Sequence, residues 1–363
     1  MHQVRPAAVA GAFYPGEALL LSRTVKGLLE ACSPAAPAAQ PPKALIVPHA
    51  GYVYSGSTAA QAYALLAPWR QTIRRVVLLG PVHRVAVRGL ALPGVDAMAT
   101  PLGEVRLDPV AADALRRLPQ VVTSGAAHAQ EHSLEVQLPF LQLVLEAFTL
   151  VPLAVGDATP DEVCEALEAV WGGPETLFVI SSDLSHFLAH AQAQAVDRQS
   201  VQTLLALQPT LGHRQACGAT PINGLLLAAR RHHLRPQLLA LCNSGDTAGD
   251  RQRVVGYAAV AFQAADAAAT EAAAAPAQAV PGDAGNVLLP LARAAIGRAL
   301  GQGPAAVDLP HPEWLKVPGA CFVTLTRNGQ LRGCIGSLQA HRPLIEDVQA
   351  NAQAAAFRDP RFE

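Results

Sequence analysis

Three short stretches of the chain run apolar and then stop at a histidine: KALIVPHAGYVYSG (43–56), RRVVLLGPVHR (74–84) and TLFVISSDLSHF (176–187). In none of them do apolar and polar residues alternate. That is how a strand buried on both faces of a parallel sheet reads. The pattern therefore predicts three strands, with His49, His83, Asp183 and His186 just beyond their ends. LVPLAVG (150–156) and VVGYAAVAF (254–262) read as further buried strands. Between the strands the pattern turns helical. Ser57 is placed to cap a helix through STAAQAYALLAPW (57–69), and the stretch from about His190 to Leu207 has helical composition. A strand–helix rhythm of this kind predicts an α/β fold, a mostly parallel sheet flanked by helices.

The rhythm ends near residue 263. AADAAATEAAAAPAQAVPGD (264–283) is rich in Ala and Pro and nearly free of large apolar residues, so it reads as a linker. Beyond it, NVLLPLARAAIGRALG (286–301) has helical spacing, ACFVTLTRNGQLRGCIGSL (320–338) reads as two strands joined at Asn328-Gly329, and IEDVQANAQAAAF (345–357) as another helix. The expected organisation is a first domain over 1–263, a linker over 264–283, and a small incomplete α+β unit over 284–363.

Composition narrows the function. The chain is 51% hydrophobic and 15% charged with a formal net charge of −1, which leaves no electrostatic footprint for nucleic acid or an anionic membrane. No apolar run reaches the roughly 18–20 residues that span a bilayer, and residues 1–20 carry no signal-peptide pattern. The six cysteines are scattered with no CxxC pair, so neither a disulfide framework nor a structural zinc site is expected. A cytoplasmic location follows as the expectation.

In a parallel sheet the carboxyl edge is where ligands bind, and three imidazoles with a carboxylate at that edge are material for a metal or acid–base site. Taken singly, His49 and His83 read as hydrogen-bonded loop residues; taken together they read as ligands. Asp183 and His186, three residues apart, can face one cavity, with Asp183 holding the His186 imidazole for proton transfer. A helix cap by Asp183 or Ser185 is the plainer alternative. His128-Ala-Gln-Glu131-His132 matches the H-x-x-E-H pattern of inverted zinc peptidases. Because the apolar rhythm starts only at Leu134, the segment reads instead as a helix entrance, from which Glu131 and His132 could reach the shared edge as supporting or proton-handling groups. The loop CNSGDTAGD (242–250) offers Cys242, Asp246 and Asp250. Asp250 reads as a surface turn. Asp246 is the carboxylate that could complete a facial triad for non-haem iron(II).

RPAAVAGAFYPG at the start, VPHAGYVYSG, LLGPVHR, EHSLEVQLPF, VISSDLSHF, CGATPINGLL and GDTAGDRQRVVGYAAVAF resemble, in this order and over nearly all of residues 4–262, the Memo family. The resemblance implies the fold of class III extradiol dioxygenases, with a metal cleft at one end, His49 and His83 as ligands, and Asp183 and His186 beside them. The family's third ligand, a glutamate in the dioxygenases and a cysteine in animal Memo proteins, has no counterpart in place here; Asp246 is the nearest candidate and Cys242 the reserve. LRGCIG (331–336) and DPRF (359–362) resemble the N-terminal part of an AMMECR-type domain, in which a sheet edge and a core face would stay uncovered. Cys334 there reads as a core strand residue before a nucleophile.

The resemblance implies a divalent metal, iron(II) first and copper or zinc next, acting on an unknown small molecule. His186, oriented by Asp183 and aided by His132, would supply acid–base catalysis. Bacterial proteins of the two families resemble partners of a radical-SAM protein. A non-catalytic adaptor, or a metal carrier using the same cleft, is the other expectation.

Overall fold

The computed structural model describes residues 2–32, 40–264, 283–301, 312–327, 330–337 and 342–359. It divides into two compact units, Met1–Asp266 and Ala267–Glu363.

Among the described residues of the first unit, nine strands make the central sheet: β1 (Ala44–Val47), β2 (Arg75–Pro81), β3 (Leu90–Leu92), β4 (Val121–Thr123), β5 (Thr149–Val155), β6 (Thr176–Ser181), β7 (His186–Leu188), β8 (Leu234–Asn243) and β9 (Val254–Ala264). Their order is β7-β9-β1-β6-β2-β5-β3-β4, with β8 also paired to β9. The middle of the sheet, β1-β6-β2-β5, is parallel. Antiparallel pairs flank it, β9 against β1 on one side and β3 against β5 on the other.

The three apolar runs form adjacent strands at the centre, and their lack of alternation has a direct cause. Ala44 and Ile46 of β1 enter one core while Leu45 and Val47 enter the other, and β2 and β6 divide in the same way. Helices Pro160–Ala169 and Ala219–Arg231 cover the first face with Leu167, Ile222 and Leu226. Helices Ala18–Glu30, Tyr52–Tyr63 and Leu138–Val144 cover the second with Leu21, Tyr63 and Phe140. Each residue of these strands thus leaves water whichever way it points, and burial of an aliphatic side chain contributes about 1.5–3 kcal/mol.

Because β1, β6 and β2 run parallel and in register, Val47 opposite Ser181 and Leu79 opposite Ile180, their carboxyl ends lie at one edge. His49, Asp183 and His83 follow within two residues of those ends. A separate three-stranded sheet, Val4–Arg5, Ala97–Thr100 and Gly103–Arg106, anchors the N-terminal segment.

The helix after β1 begins earlier than Ser57. Gly51 takes the extended conformation of an N-cap, the helix runs Tyr52–Tyr63, and Ser57 is an exposed residue within it. The chain therefore turns into helix immediately after the His49 loop. The long helix at 190–207 runs His190–Leu205.

In the second unit, helix Gly285–Ala299 and helix Leu344–Phe357 accompany an antiparallel pair, β10 (Phe322–Arg327) and β11 (Gln330–Gly336). Leu291, Leu315, Leu344 and Val348 form its small core. Cys334 lies on β11, its Sγ 3.3 Å from Thr324 Oγ1. The Asn328-Gly329 turn, the Ala/Pro-rich segment over 265–282 and residues 360–362 of the DPRF motif lie outside the described residues.

Candidate metal centre

His49, His83 and His132 converge at the carboxyl edge of the parallel strands. One ring nitrogen of each lies within 4.8 Å of the others. The ring centroids of His49 stand 5.2 Å from His83 and 5.3 Å from His132, and those of His83 and His132 are 4.6 Å apart. This is a histidine-rich site that could bind a metal ion.

The hydrogen bonds behind the rings set which nitrogen faces inward. Ser181 Oγ donates to the Ser133 carbonyl at 2.6 Å, so it accepts from His49 Nδ1 at 2.9 Å and from Gln137 Nε2 at 2.8 Å. His49 thus carries its proton on Nδ1 and its lone pair on Nε2, which faces the Cys217 Sγ at 3.3 Å. Burial, reinforced by the neighbouring His83, pushes the His49 imidazole down to about 3, so the ring is neutral at physiological pH.

Glu131 performs the same service for the other two rings. Its carboxylate accepts from His83 Nδ1 at 2.9 Å, from the His83 backbone N–H at 2.6 Å and from the Ser133 N–H at 2.9 Å. His132 Nδ1 stands 3.3 Å from the same oxygen. Burial acts to raise Glu131, but these hydrogen bonds overcome it and hold the carboxyl at about 2. His132 is pushed down to about 4 by burial and by His49. A carboxylate behind metal-binding imidazoles, fixing tautomer and orientation, is the usual outer support of such sites.

Cys217, which sequence reasoning did not single out, completes the wall. Its Sγ lies 3.3 Å from His49 Nε2, and burial, then the nearby Asp183, pushes its thiol up to about 12. It opens CGATPINGLL, one of the stretches that carry the family resemblance, and that is the signal that could have marked it.

Asp183 and His186 sit at this edge in roles that differ from the expected pair. The buried Asp183 carboxylate accepts from the His49 backbone N–H at 2.8 Å, and burial raises its pKa. His186 Nδ1 donates instead to the Leu184 carbonyl at 2.8 Å, which leaves Nε2 as the basic nitrogen. Asp183 therefore braces the His49 loop, and a backbone carbonyl orients His186. Neither Asp183 nor Ser185 caps a helix, since the chain passes straight into the short strand β7 at His186. Phe187 beside it holds φ at +60°, a strained conformation for a side-chain-bearing residue, with the Arg253 guanidinium 5.0 Å over its ring.

Asp246 is not with the histidines. Its Oδ1 lies 2.6 Å from His190 Nε2 and its Oδ2 accepts from the Asn243 N–H, closing the turn Ser244–Asp246 that follows β8. Cys242 lies in β8 with Sγ 3.0 Å from Thr58 Oγ1, and burial raises its pKa. The ligand atom that stands with those of His49 and His83 is instead an imidazole nitrogen of His132.

The H-x-x-E-H reading fails on geometry. The helix carrying His128 ends at Ala129, so His128 and His132 do not share a helical face. His128 Nε2 points away, to the Ala91 carbonyl at 2.7 Å.

The fold and site together define a mixed α/β protein with a three-histidine centre at the carboxyl edge of its parallel strands. The model of the Memo-like protein family matches residues 5–261, and the chain belongs to that family. The AMMECR1 model matches residues 289–363. A MEMO1 family protein of Sulfurisphaera tokodaii is 33% identical over 282 residues, 71% of this chain and 99% of its own length. One of Ignicoccus hospitalis is 35% identical over 286 residues, 71% of this chain and 98% of its own length. The solved structure of uncharacterized protein JW3007 from Escherichia coli K12 covers 60% of this chain and 98% of its own at 12% identity, with a TM-score of 0.42, too low to bear on fold or function. No helix among the described residues is long and apolar enough to cross a membrane.

Ser181 gives the centre a testable dependence. Ser181→Ala removes the acceptor for both His49 Nδ1 and Gln137 Nε2 while leaving every ligand in place. Metal affinity, measured by competition against a chromophoric chelator, should fall at least about tenfold.

Proposed function

We propose that the chain is a metal-dependent enzyme. Its His49, His83 and His132 hold one divalent transition metal and leave coordination positions open to a small molecule. The observation that carries this reading is the convergence of three imidazoles, two of them shifted well towards the neutral form, with His49 held through Nδ1 by Ser181 and His83 held through Nδ1 by Glu131. Three protein ligands with an open position are the catalytic arrangement, whereas closed four-ligand sets are structural. An imidazole donor set suits zinc, copper or iron. The carboxylate that argued for iron(II), Asp246, is engaged by His190.

A bound metal would supply Lewis acidity and a coordination point for a chelating, catechol-like substrate. The chain's own residues do the rest. Asp183 and Ser181 hold His49 in place, Glu131 keeps His83 and His132 pointed inward, and His186 Nε2 is the available base, a role typically giving 10²–10⁴-fold in rate.

The test is spectroscopic. Cobalt(II)-reconstituted protein should take up one ion per chain and change its visible spectrum when a catechol is added. An ion whose spectrum ignores catechol, azide and other small ligands would mark a closed site and end the catalytic reading. His186→Gln should retain the spectral response, since His186 is assigned proton transfer and not metal binding.

A further inference from the structure

Two buried side chains outside the centre join the N-terminal segment to the loop that carries Glu131 and His132. Arg5, 4% exposed, donates from Nε to the His128 carbonyl at 2.7 Å and from Nη2 to the Glu131 carbonyl at 2.8 Å. Its Nη1 pairs with Glu135 Oε2 at 2.5 Å. One planar guanidinium therefore grips both carbonyls that bracket the turn and the carboxylate that follows it, which the single ammonium of lysine cannot do. Glu135 in turn accepts from the N–H groups of Ala8 at 2.8 Å and Val9 at 3.0 Å and from the Tyr14 hydroxyl at 2.5 Å.

The same segment touches the centre directly. The Phe13 ring lies 4.6 Å from that of His132, and the Phe13 carbonyl accepts from the N–H of Tyr52, the first residue of the helix after the His49 loop. Residues 5–14 thus contact the loops that carry His49 and His132, two of the three candidate ligands, although none of them is itself one.

We propose that residues 5–14 form a strap that assembles the metal centre, with Arg5 as its positioning residue, so that closing the strap and binding the metal are one coupled equilibrium. The proposal rests on reading the three histidines as a metal site. The bonds to the His128 and Glu131 carbonyls satisfy the buried guanidinium and at the same time tie the N-terminal segment to the backbone of the loop that carries Glu131. Those bonds fix where the Glu131 carboxylate stands, and that carboxylate orients His83 and His132. By reciprocity, whatever holds the strap closed raises metal affinity, and metal in the centre holds the strap closed.

The experiment uses cobalt(II) as the probe on the full chain: wild type, Arg5→Lys and Arg5→Met, each first checked for folding by circular dichroism. Lysine can keep the charge pair with Glu135 but not the grip on two carbonyls. Arg5→Lys should therefore fold, bind cobalt(II) about 10–100-fold more weakly and show altered visible bands. Amide hydrogen exchange supplies the second measurement, needing no variant: cobalt(II) should slow exchange at Ala8 and Val9 of the wild type. Folded Arg5 variants that bind cobalt(II) with wild-type affinity and bands overturn the strap. So does exchange at residues 8 and 9 that is indifferent to the metal, even if Arg5→Met fails to fold. A wild type that binds no cobalt(II) overturns the metal reading and the strap together, whereas wild-type binding with unaltered variants overturns the strap alone.

Discussion

Glu131→Ala is expected to lower metal affinity by at least about 10–100-fold and to cost on the order of 3–5 kcal/mol of stability. The carboxylate is 2% exposed and accepts three hydrogen bonds, two from His83 and one from Ser133. Removing it leaves those buried or half-buried donors without a partner and frees two imidazoles to rotate. Glu131→Gln separates the two effects. The amide oxygen replaces only one carboxylate oxygen. In the Oε1 position it keeps His83 Nδ1 and the Ser133 N–H while the NH₂ opposes the His83 backbone N–H; in the Oε2 position it keeps that N–H alone. Either way the negative charge is gone. Glu131→Gln should therefore lose most of the metal affinity with a smaller loss of stability. Chelator competition and urea denaturation on both variants check this. Folded variants with wild-type affinity would remove Glu131 from the centre.

The metal-free protein should be acid-labile well above the carboxylate range. His49 is pushed to about 3, and His132 and His128 each to about 4, all chiefly by burial, against about 6.5 in an unfolded chain. Below about pH 6.5 the unfolded chain takes up protons that the folded chain refuses, so stability falls as pH falls and is flat above that point. Each such histidine contributes a slope approaching about 1.4 kcal/mol per pH unit. Glu131, held at about 2, adds a second loss below about pH 4.5, because its unfolded form protonates first. Urea midpoints should be level from pH 8 to 7 and drop steeply by pH 5, with a shallower drop in His132→Gln. Midpoints that stay level down to pH 5 would show that these rings are not held neutral.

Much of this arrangement is legible in the chain, for physical reasons. Strands buried on both faces must be apolar throughout, so β1, β2 and β6 announce themselves, and in a parallel sheet their carboxyl ends must meet. That brings His49, His83, Asp183 and His186 to one edge before any coordinates are known. The third imidazole is harder to see. His132 comes from a loop between a five-residue helix and the turn Glu135–Gln137, not from a strand end, and that loop is placed by bonds from the distant Arg5 and His83 to its neighbour Glu131. Asp246 misleads for the converse reason: a polar glycine-bearing loop before the last strand reads as a ligand loop, yet its carboxylate is used locally by Asn243 and His190. Asp183 and His186 are close in sequence, but an extended turn sends one towards the His49 backbone and the other to the Leu184 carbonyl. Spacing carries helical neighbours well and such turns poorly. The start of the helix at Tyr52 was similarly hidden, because an extended Gly51 caps it with no side-chain hydrogen bond.

The central claim is that three histidines hold a metal. It is tested most directly by elemental mass spectrometry on protein purified without oxygen, wild type beside a His49→Ala/His83→Ala double variant. The account predicts close to one transition-metal ion per chain in the wild type and none in the variant, with the element found deciding among iron, copper and zinc. A wild type that carries no metal, and takes up none on reconstitution with any of the three, would contradict it.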